Sequence, residues 1–453
     1  MIDDAADFVV VGSGAGGATA AYWLARAGHE VVVLEEGPLP RPAAGDAREA
    51  LATLYRDGGA MAAIGADPLP LLQGRCVGGT TVVNGGIQVA LPRAAWERWV
   101  ARDPAWATRL PWDALEGARE RIDALLGVAP TPPALHGGNG GRMLGAVAGA
   151  HPTRRNTPGC VGAGRCLQGC PHGRKRSVDV ALLPEVIARG GRVHPGARVE
   201  RVRTGLVEGR GLRVRARRAV VLAAGAVHTP WLLLRSGIAA GRGWMCHPGA
   251  AMAGRFDTPA FGMAEATQAA ESLADLGEGL KYESLGMPRA FRAARVPGVG
   301  RALADRLERL DHVALWGVAC RAEAVGRVRR GPFGPLVFYS LGRGDRERLL
   351  RGLSRLAVGM LRAGAREVWP AVKGAPEVVR TEAEARALAD LPPVAGAVPL
   401  VATHFFGGAS VGERFEAAPG VVVADASLLP ANVGVNPMSA IMAAATIVAE
   451  RWA

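Results

Sequence analysis

Short apolar runs of β-branched residues alternate with alanine- and leucine-rich stretches of helical period at both ends of the chain. Residues 7–11, DFVVV, read as a buried parallel strand. A glycine-rich turn follows, then ATAAYWLARAG as a helix, then EVVVLEEG as a second strand ending at Glu35 and Glu36. Further on, RVHPGARVERV reads as a strand pair. Residues 220–237, VVLAAGAVHTPWLLLRSG, read as a buried strand running into a helix that starts at Thr229-Pro230, where proline suits the first turn. Residues 334–340 predict a strand, and Asp345 predicts the N-cap of a helix with Leu349, Leu353, Leu356 and Met360 on one core-facing stripe. Trp316, Phe338 and Tyr339 are candidates for a pocket wall, and LHGGNGG, ending at Gly141, reads as a flexible connection. Two long uncharged runs, 393–412 and 432–449, carry His404 in the first and Asn432, Asn436 and Pro437 in the second. Those polar groups fit buried core better than a lipid bilayer.

A chain of 453 residues exceeds what one core usually serves, so two closely joined domains are expected. With 49% hydrophobic and 21% charged residues, disorder is excluded. The net charge of +13 comes almost wholly from arginine, since lysine stands only at Lys175, Lys281 and Lys373. No basic helix or aromatic-interleaved basic stripe accompanies it, which argues against nucleic-acid binding and leaves peripheral contact with anionic lipid or an acidic partner open. The start, MIDDAADFVVVGSG, has no positive n-region and moves straight into a strand. The expectation is a cytoplasmic protein without a transmembrane span, in which clustered cysteines serve as ligands or catalysts rather than disulfides.

The turn Gly12-Ser-Gly14-Ala-Gly-Gly17 gives the βαβ unit its chemistry. Gly12 permits the tight turn, Gly14 lets the backbone approach a pyrophosphate, and Gly17 lets helix and strand pack closely. The helix N-terminus then faces the phosphates, and Ala15 is among the expected cofactor contacts. Glu35, 18 residues after Gly17, stands where an acid can hydrogen-bond a ribose. The motif marks a dinucleotide without choosing between NAD and FAD.

GRCVGGTTVVNGG, residues 74–86, offers backbone N–H groups and little side-chain bulk to a flat ring. Through Gly74, Arg75, Gly78, Gly79, Thr80, Asn84 and Gly85 the sequence resembles the glucose–methanol–choline (GMC) family of flavin oxidoreductases, closest in look to bacterial members grouped with long-chain alcohol oxidases. The resemblance implies a two-domain α/β architecture: a Rossmann-like FAD-binding domain plus an α+β substrate-binding domain with an antiparallel sheet. The expected boundaries are 1–100, 155–256 and 396–453 for the discontinuous FAD domain, 101–154 for a helical insertion and 257–395 for the substrate domain. No histidine lies in the 74–86 loop to attach the flavin, so noncovalent FAD is implied. By the same resemblance Val199 lies near the adenine, Ala224 and Gly225 pass near the cofactor, and Asp425, Ala426, Asn436, Pro437 and Met438 meet the flavin from the tail. Asn436 can also cap the last helix.

The family's reaction moves an alcohol's hydroxyl proton to a base and its hydride to flavin N5. His404 is the candidate base, since imidazole accepts protons near neutral pH, and Asn436 the candidate partner that holds the substrate oxygen. Only 32 residues separate the two, fewer than in most relatives, which puts substrate selectivity in doubt more than cofactor binding.

CVGAGRCLQGCPHG places Cys160, Cys166 and Cys170 at C-x5-C-x3-C-P spacing. Three thiolates suit a [3Fe–4S] cluster, as in GMC dehydrogenase subunits that pass electrons to a carrier protein. A ligand-free structural loop, zinc with His172, and a disulfide are the alternatives. Cys76, Cys246 and Cys320 are expected to be buried. The functional expectation is oxidation of an apolar primary or secondary alcohol, by a dehydrogenase if the cluster is real and by an oxygen-using oxidase if not. The rivals are a non-redox FAD-containing lyase and a binding protein with an unreactive flavin.

Overall fold

A computed structural model describes residues 2–40, 46–262 and 264–453 of the chain. The apolar run at Phe8–Val11 closes β1 (Ile2–Val11), which is followed by α1 (Ala15–Arg26) and β2 (Val31–Glu35). After the loops and helices of residues 46–191, β3 (Arg192–Pro195) pairs parallel with β2, and β4 (Leu212–Leu222) pairs parallel with β1. The chain then leaves this sheet through α2 (Gly225–Arg235).

The second sheet has nine strands among the described residues. Its spine is β5 (Arg242–Arg255), a strand of 14 residues. Beside it lies β8 (Val313–Cys320), preceded in the chain by β6 (Ala270–Ser272) and β7 (Leu280–Ser284), with every named pairing antiparallel. α3 (Arg343–Arg362) packs on this sheet through Leu349, Leu353, Leu356 and Met360, all buried. β9 (Val401–Phe406) pairs with β5, and β10 (Val421–Val423) then returns to the first sheet beside β4. The first sheet therefore reads β10-β4-β1-β2-β3 across its parallel core. The last helix, α4 (Met438–Trp452), lies against α1 and the helix Trp112–Leu126.

The two-domain α/β architecture expected from the sequence is the one found. Local details differ. β5 and β9, assigned above to the cofactor domain, belong to the antiparallel sheet. β3 pairs with β2 and Arg201–Arg203 with Leu206–Gly209, so RVHPGARVERV is two strands and not a pair. α2 begins at Gly225, with Pro230 inside it, because the Thr229 hydroxyl turns back to accept from the Ala224 N–H at 2.9 Å. LHGGNGG enters a helix, Gly137–Ala146, whose bare Gly140 lets it seat on Ala269. Asp345 is the third residue of α3 rather than its N-cap, and it accepts from the N–H groups of Glu323 at 2.9 Å and Ala324 at 3.2 Å. Trp316 and Tyr339 are packed in the core and stand outside the wall of the main cavity.

The glycine turn is set by backbone contact. Gly12 has φ +98°, and a Cβ there would run into the Ala223 carbonyl. A Cβ on Gly17 would collide with the Gly12 carbonyl, whereas one on Gly14 would find its nearest neighbour, the Cα of Gly79, 4.0 Å away. Gly17→Ala should therefore cost about 1–3 kcal/mol or more in denaturant unfolding. Gly14→Ala should leave the stability of the cofactor-free chain level or raise it by about 0.4–1 kcal/mol.

Candidate active site

A cavity of about 870 Å³ runs from the glycine turn to the inner face of the antiparallel sheet. At one end stand Gly12 to Gly16, Glu35 and Val199; at the other, Gly249 to Ala251 of β5, Gly317 to Ala319 of β8, and His404 of β9. Gly79 to Thr81, Val83 to Gly85 and Asn436 to Met438 lie between. Of the residues named above for the cofactor or its loop, Gly17 and Gly78 are absent from the wall, because their bare Cα atoms are used in packing.

Glu35 is buried, and its position is fixed: Oε2 accepts from Ser13 Oγ at 2.7 Å and Ser13 N at 3.1 Å, and Oε1 from Gly37 N at 2.9 Å. Next to it, Glu36 pairs with Arg56 and lies 3.8 Å from Arg75 and 4.0 Å from Arg198. Burial pushes the Arg56 guanidinium down to about 10. Three guanidiniums, of Arg56, Arg75 and Arg198, stand here with the carboxylates of Glu35, Glu36 and Asp57, so this end is densely charged without an excess of either sign. α1 carries no side-chain cap at its N-terminus, so its first amides are open to the cavity. α4 is likewise uncapped: Asn436 does not serve as its N-cap, a position taken by Pro437. Asp425 lines the cavity, but its carboxylate is consumed internally, by Gly225 N at 2.7 Å, Thr229 Oγ1 at 2.5 Å and Ser427 N at 2.8 Å.

The 74–86 loop is held from behind by the cysteine-rich loop. Lys175 is 1% exposed, and its ammonium donates to the carbonyls of Val82 at 2.6 Å, Asn84 at 2.9 Å and Cys166 at 2.8 Å. Its three donors are thus all used, and burial pushes it down to about 8. Arg155 donates to the Gly85 carbonyl at 3.0 Å and lies 3.0 Å from Cys166 Sγ. Burial alone would raise the Cys166 thiol, but Arg155 and Lys175 outweigh it and hold that thiol below its ordinary range. Cys160 Sγ instead accepts from Gly162 N and Cys170 Sγ from Lys175 N, each at 3.4 Å. Each thiol thus faces a different partner, and among the described residues no three such side chains converge on a metal position. The expected iron–sulfur ligation by Cys160, Cys166 and Cys170 does not fit this arrangement, and the loop works as a brace. Cys76, Cys246 and Cys320 are buried as expected.

His404 reaches the cavity through a β-bulge. Cys246 pairs with Phe405 and Pro248 with Ala402, so Thr403 and His404 together face His247 alone. Pro248 supplies the cause, since it has no N–H for the ladder. The rings of His404 and His247 stack at 5.5 Å, with Nδ1 to Nδ1 at 3.3 Å. If His404 Nδ1–H donates to His247, Nε2 of His404 keeps a free lone pair, as a base requires. Burial pushes His404 down to about 4, well below the near-neutral value expected for an imidazole base; Glu283 opposes that shift and Lys281 adds to it. His247 is also held neutral by burial.

Asn436 lies in the same wall, and its Oδ1 accepts from Lys281 Nζ. Lys281, Glu271, Glu283 and His247 were not singled out in the sequence. A legible signal was present, for Lys281 and Glu283 share one face of an otherwise uncharged strand in a chain that hardly uses lysine.

The sequence profile of a family described as GMC oxidoreductase matches residues 51–307, and that of an NAD(P)-binding Rossmann-like domain matches residues 10–53. An uncharacterized GMC-type oxidoreductase of Mycobacterium tuberculosis is 36% identical over 485 residues, covering 98% of this chain and 75% of its own length. Another, from Sinorhizobium fredii, is 32% identical and covers 98% and 94%. Long-chain-alcohol oxidase FAO3 of Arabidopsis thaliana is 26% identical, covering 99% of this chain and 68% of its own. The fold is also that of pyridoxine 4-oxidase from Mesorbium loti, at TM-score 0.67 and 18% identity over 98% and 99% of the two chains.

Replacing Lys175 by methionine leaves three buried carbonyls without a donor, each costing about 1–3 kcal/mol. Lys175→Met should speed hydrogen exchange across residues 79–86 and lower the melting temperature. Lys373→Met, at an exposed site, should change neither.

Proposed function

The chain belongs to the GMC oxidoreductase family, and from that premise we propose that it oxidises an apolar primary or secondary alcohol to the carbonyl with noncovalently held FAD. The observation that carries the reading is the meeting, in one cavity, of an uncapped dinucleotide cradle with the His404 and Asn436 side chains.

The residues fit the cofactor. Glu35 would take a ribose, the open amides of α1 the pyrophosphate, the 79–85 loop the ring face, and the open amides of α4 the pyrimidine edge. When bound, FAD supplies the acceptor for the hydride that leaves the alcohol carbon. His404 Nε2 takes the hydroxyl proton, and His247 keeps His404 in the tautomer that can do so. Asn436 donates to the same oxygen and fixes the alcohol against the base. Leu285, Met287, Phe291 and Ala294 wall the outer cavity, which favours an apolar chain on the substrate. With the three thiols of the brace separately engaged, the reading carries no cluster relay, and dioxygen is the proposed acceptor, in keeping with relatives named as oxidases.

Arg295 favours a second substrate reading. It lines the same outer cavity, burial lowers its pKa, and it makes no ion pair among the described residues. An unpaired guanidinium there suits an alcohol whose far end carries a carboxylate.

Anaerobic addition of long-chain alcohols should bleach the flavin absorbance, whereas a lyase or an unreactive flavin would stay yellow. His404→Ala should keep its flavin and lose about 10²–10⁴-fold in rate. With His404 at about 4, activity should hold from neutrality down to about pH 5 and fall as pH drops through 4, where the base becomes protonated. Arg295→Leu should raise KM for ω-hydroxy acids and leave KM for neutral alcohols unchanged.

A further inference from the structure

Glu271 of β6 and Glu283 of β7 stand directly opposite each other in the strand register. Like charges so placed repel, and here Glu271 is buried and Glu283 mostly so. Lys281, two residues from Glu283 on the same face of β7, places its fully buried ammonium between them. It lies 2.8 Å from Glu271 Oε2, pairs with Glu283 Oε1, and gives its remaining donor to Asn436 Oδ1. An ammonium can only donate, so it selects the oxygen end of the Asn436 amide. Asn436 also helps to keep the Glu283 carboxylate ionised, and Gln268 Nε2 holds one Glu283 oxygen at 2.8 Å. With its oxygen end taken by Lys281, the Asn436 side chain, which lines the cavity, has only its N–H groups to offer a substrate.

We propose that Lys281 and Glu283 are positioning residues for alcohol oxidation: together they aim the Asn436 N–H at the substrate oxygen, and the group's residual negative charge supports His404 as it gains the hydroxyl proton. The inference rests on the function proposed above. Two carboxylates against one ammonium leave one net negative charge in the group. The charged and titratable neighbours of His404 are His247 from β5 and Lys281 and Glu283 from β7, with Glu271 behind Lys281, His151 3.7 Å from Glu271 Oε1, and Arg321 acting on His247. Glu283 is the one among them that favours the imidazolium.

Two variants of the holoenzyme separate the two roles. Glu271→Gln with Lys281→Met keeps the net charge and leaves no opposed carboxylates, but removes the donor to Asn436. Flavin content and the acid limb of the pH profile should stay, with kcat falling about 10²-fold. A kcat within twofold of the parent overturns the positioning role. Glu283→Gln neutralises the group at constant shape. The His404 imidazole, followed by NMR titration in the holoenzyme and identified by its loss in His404→Asn, should titrate at lower pH. An unmoved titration overturns the charge role. If the parent enzyme bleaches with alcohol and both variants behave like it, this inference fails alone; if the parent never bleaches, the proposed function has failed instead.

Discussion

A single missing backbone donor organises the candidate active site. Proline at 248 cannot complete the ladder between the two strands that carry the histidines, and the partner strand answers with one extra residue. The bulge turns His404 out of the sheet and stacks it on His247. A regular ladder would alternate successive residues between core and cavity faces, and could not place Thr403 and His404 on the cavity together. The chemistry thus depends on a local failure of β pairing, secured by a 14-residue strand whose neighbours on both sides keep it from relaxing.

The cofactor side is built on the opposite logic, close contact of bare backbone. Gly12, Gly17 and the strand behind them touch through main-chain atoms, so this region tolerates few residues. That intolerance is why it is legible in sequence: the fingerprint, Glu35 and the 74–86 loop were read directly, and the structure places them along one groove. The antiparallel half was legible only as composition. Its strands are defined by partners as distant in the chain as Met245 and Phe406, and no periodic signal records which partner a strand will take.

The misreadings share one cause. Thr229, Asp345 and Asn436 are good local capping residues; a helix was expected to start at Thr229, and Asp345 and Asn436 were expected to cap theirs. Thr229 instead spends its side chain on Asp425 and Asn436 on Lys281, while Asp345, three residues inside its expected place, accepts from the amides of Glu323 and Ala324 as well as from the Gly342 N–H of the helix start. A buried charge outbids a helix end for a polar side chain, because leaving the charge unsolvated costs more than leaving a helix amide to the cavity. The cluster reading of the cysteine-rich loop, one of several left open, finds no support for a similar reason. Its spacing suits metal, but its thiols were already taken by an arginine and two main-chain amides.

The brace behind the 74–86 loop has a further consequence. Because one ammonium joins carbonyls from both segments, residues 155–175 and 79–86 form a single graft unit although some seventy positions lie between them. Exchange of either segment alone between homologues would strand the other's hydrogen bonds. Recombination that preserves colour in this scaffold must carry both halves of the clasp at once.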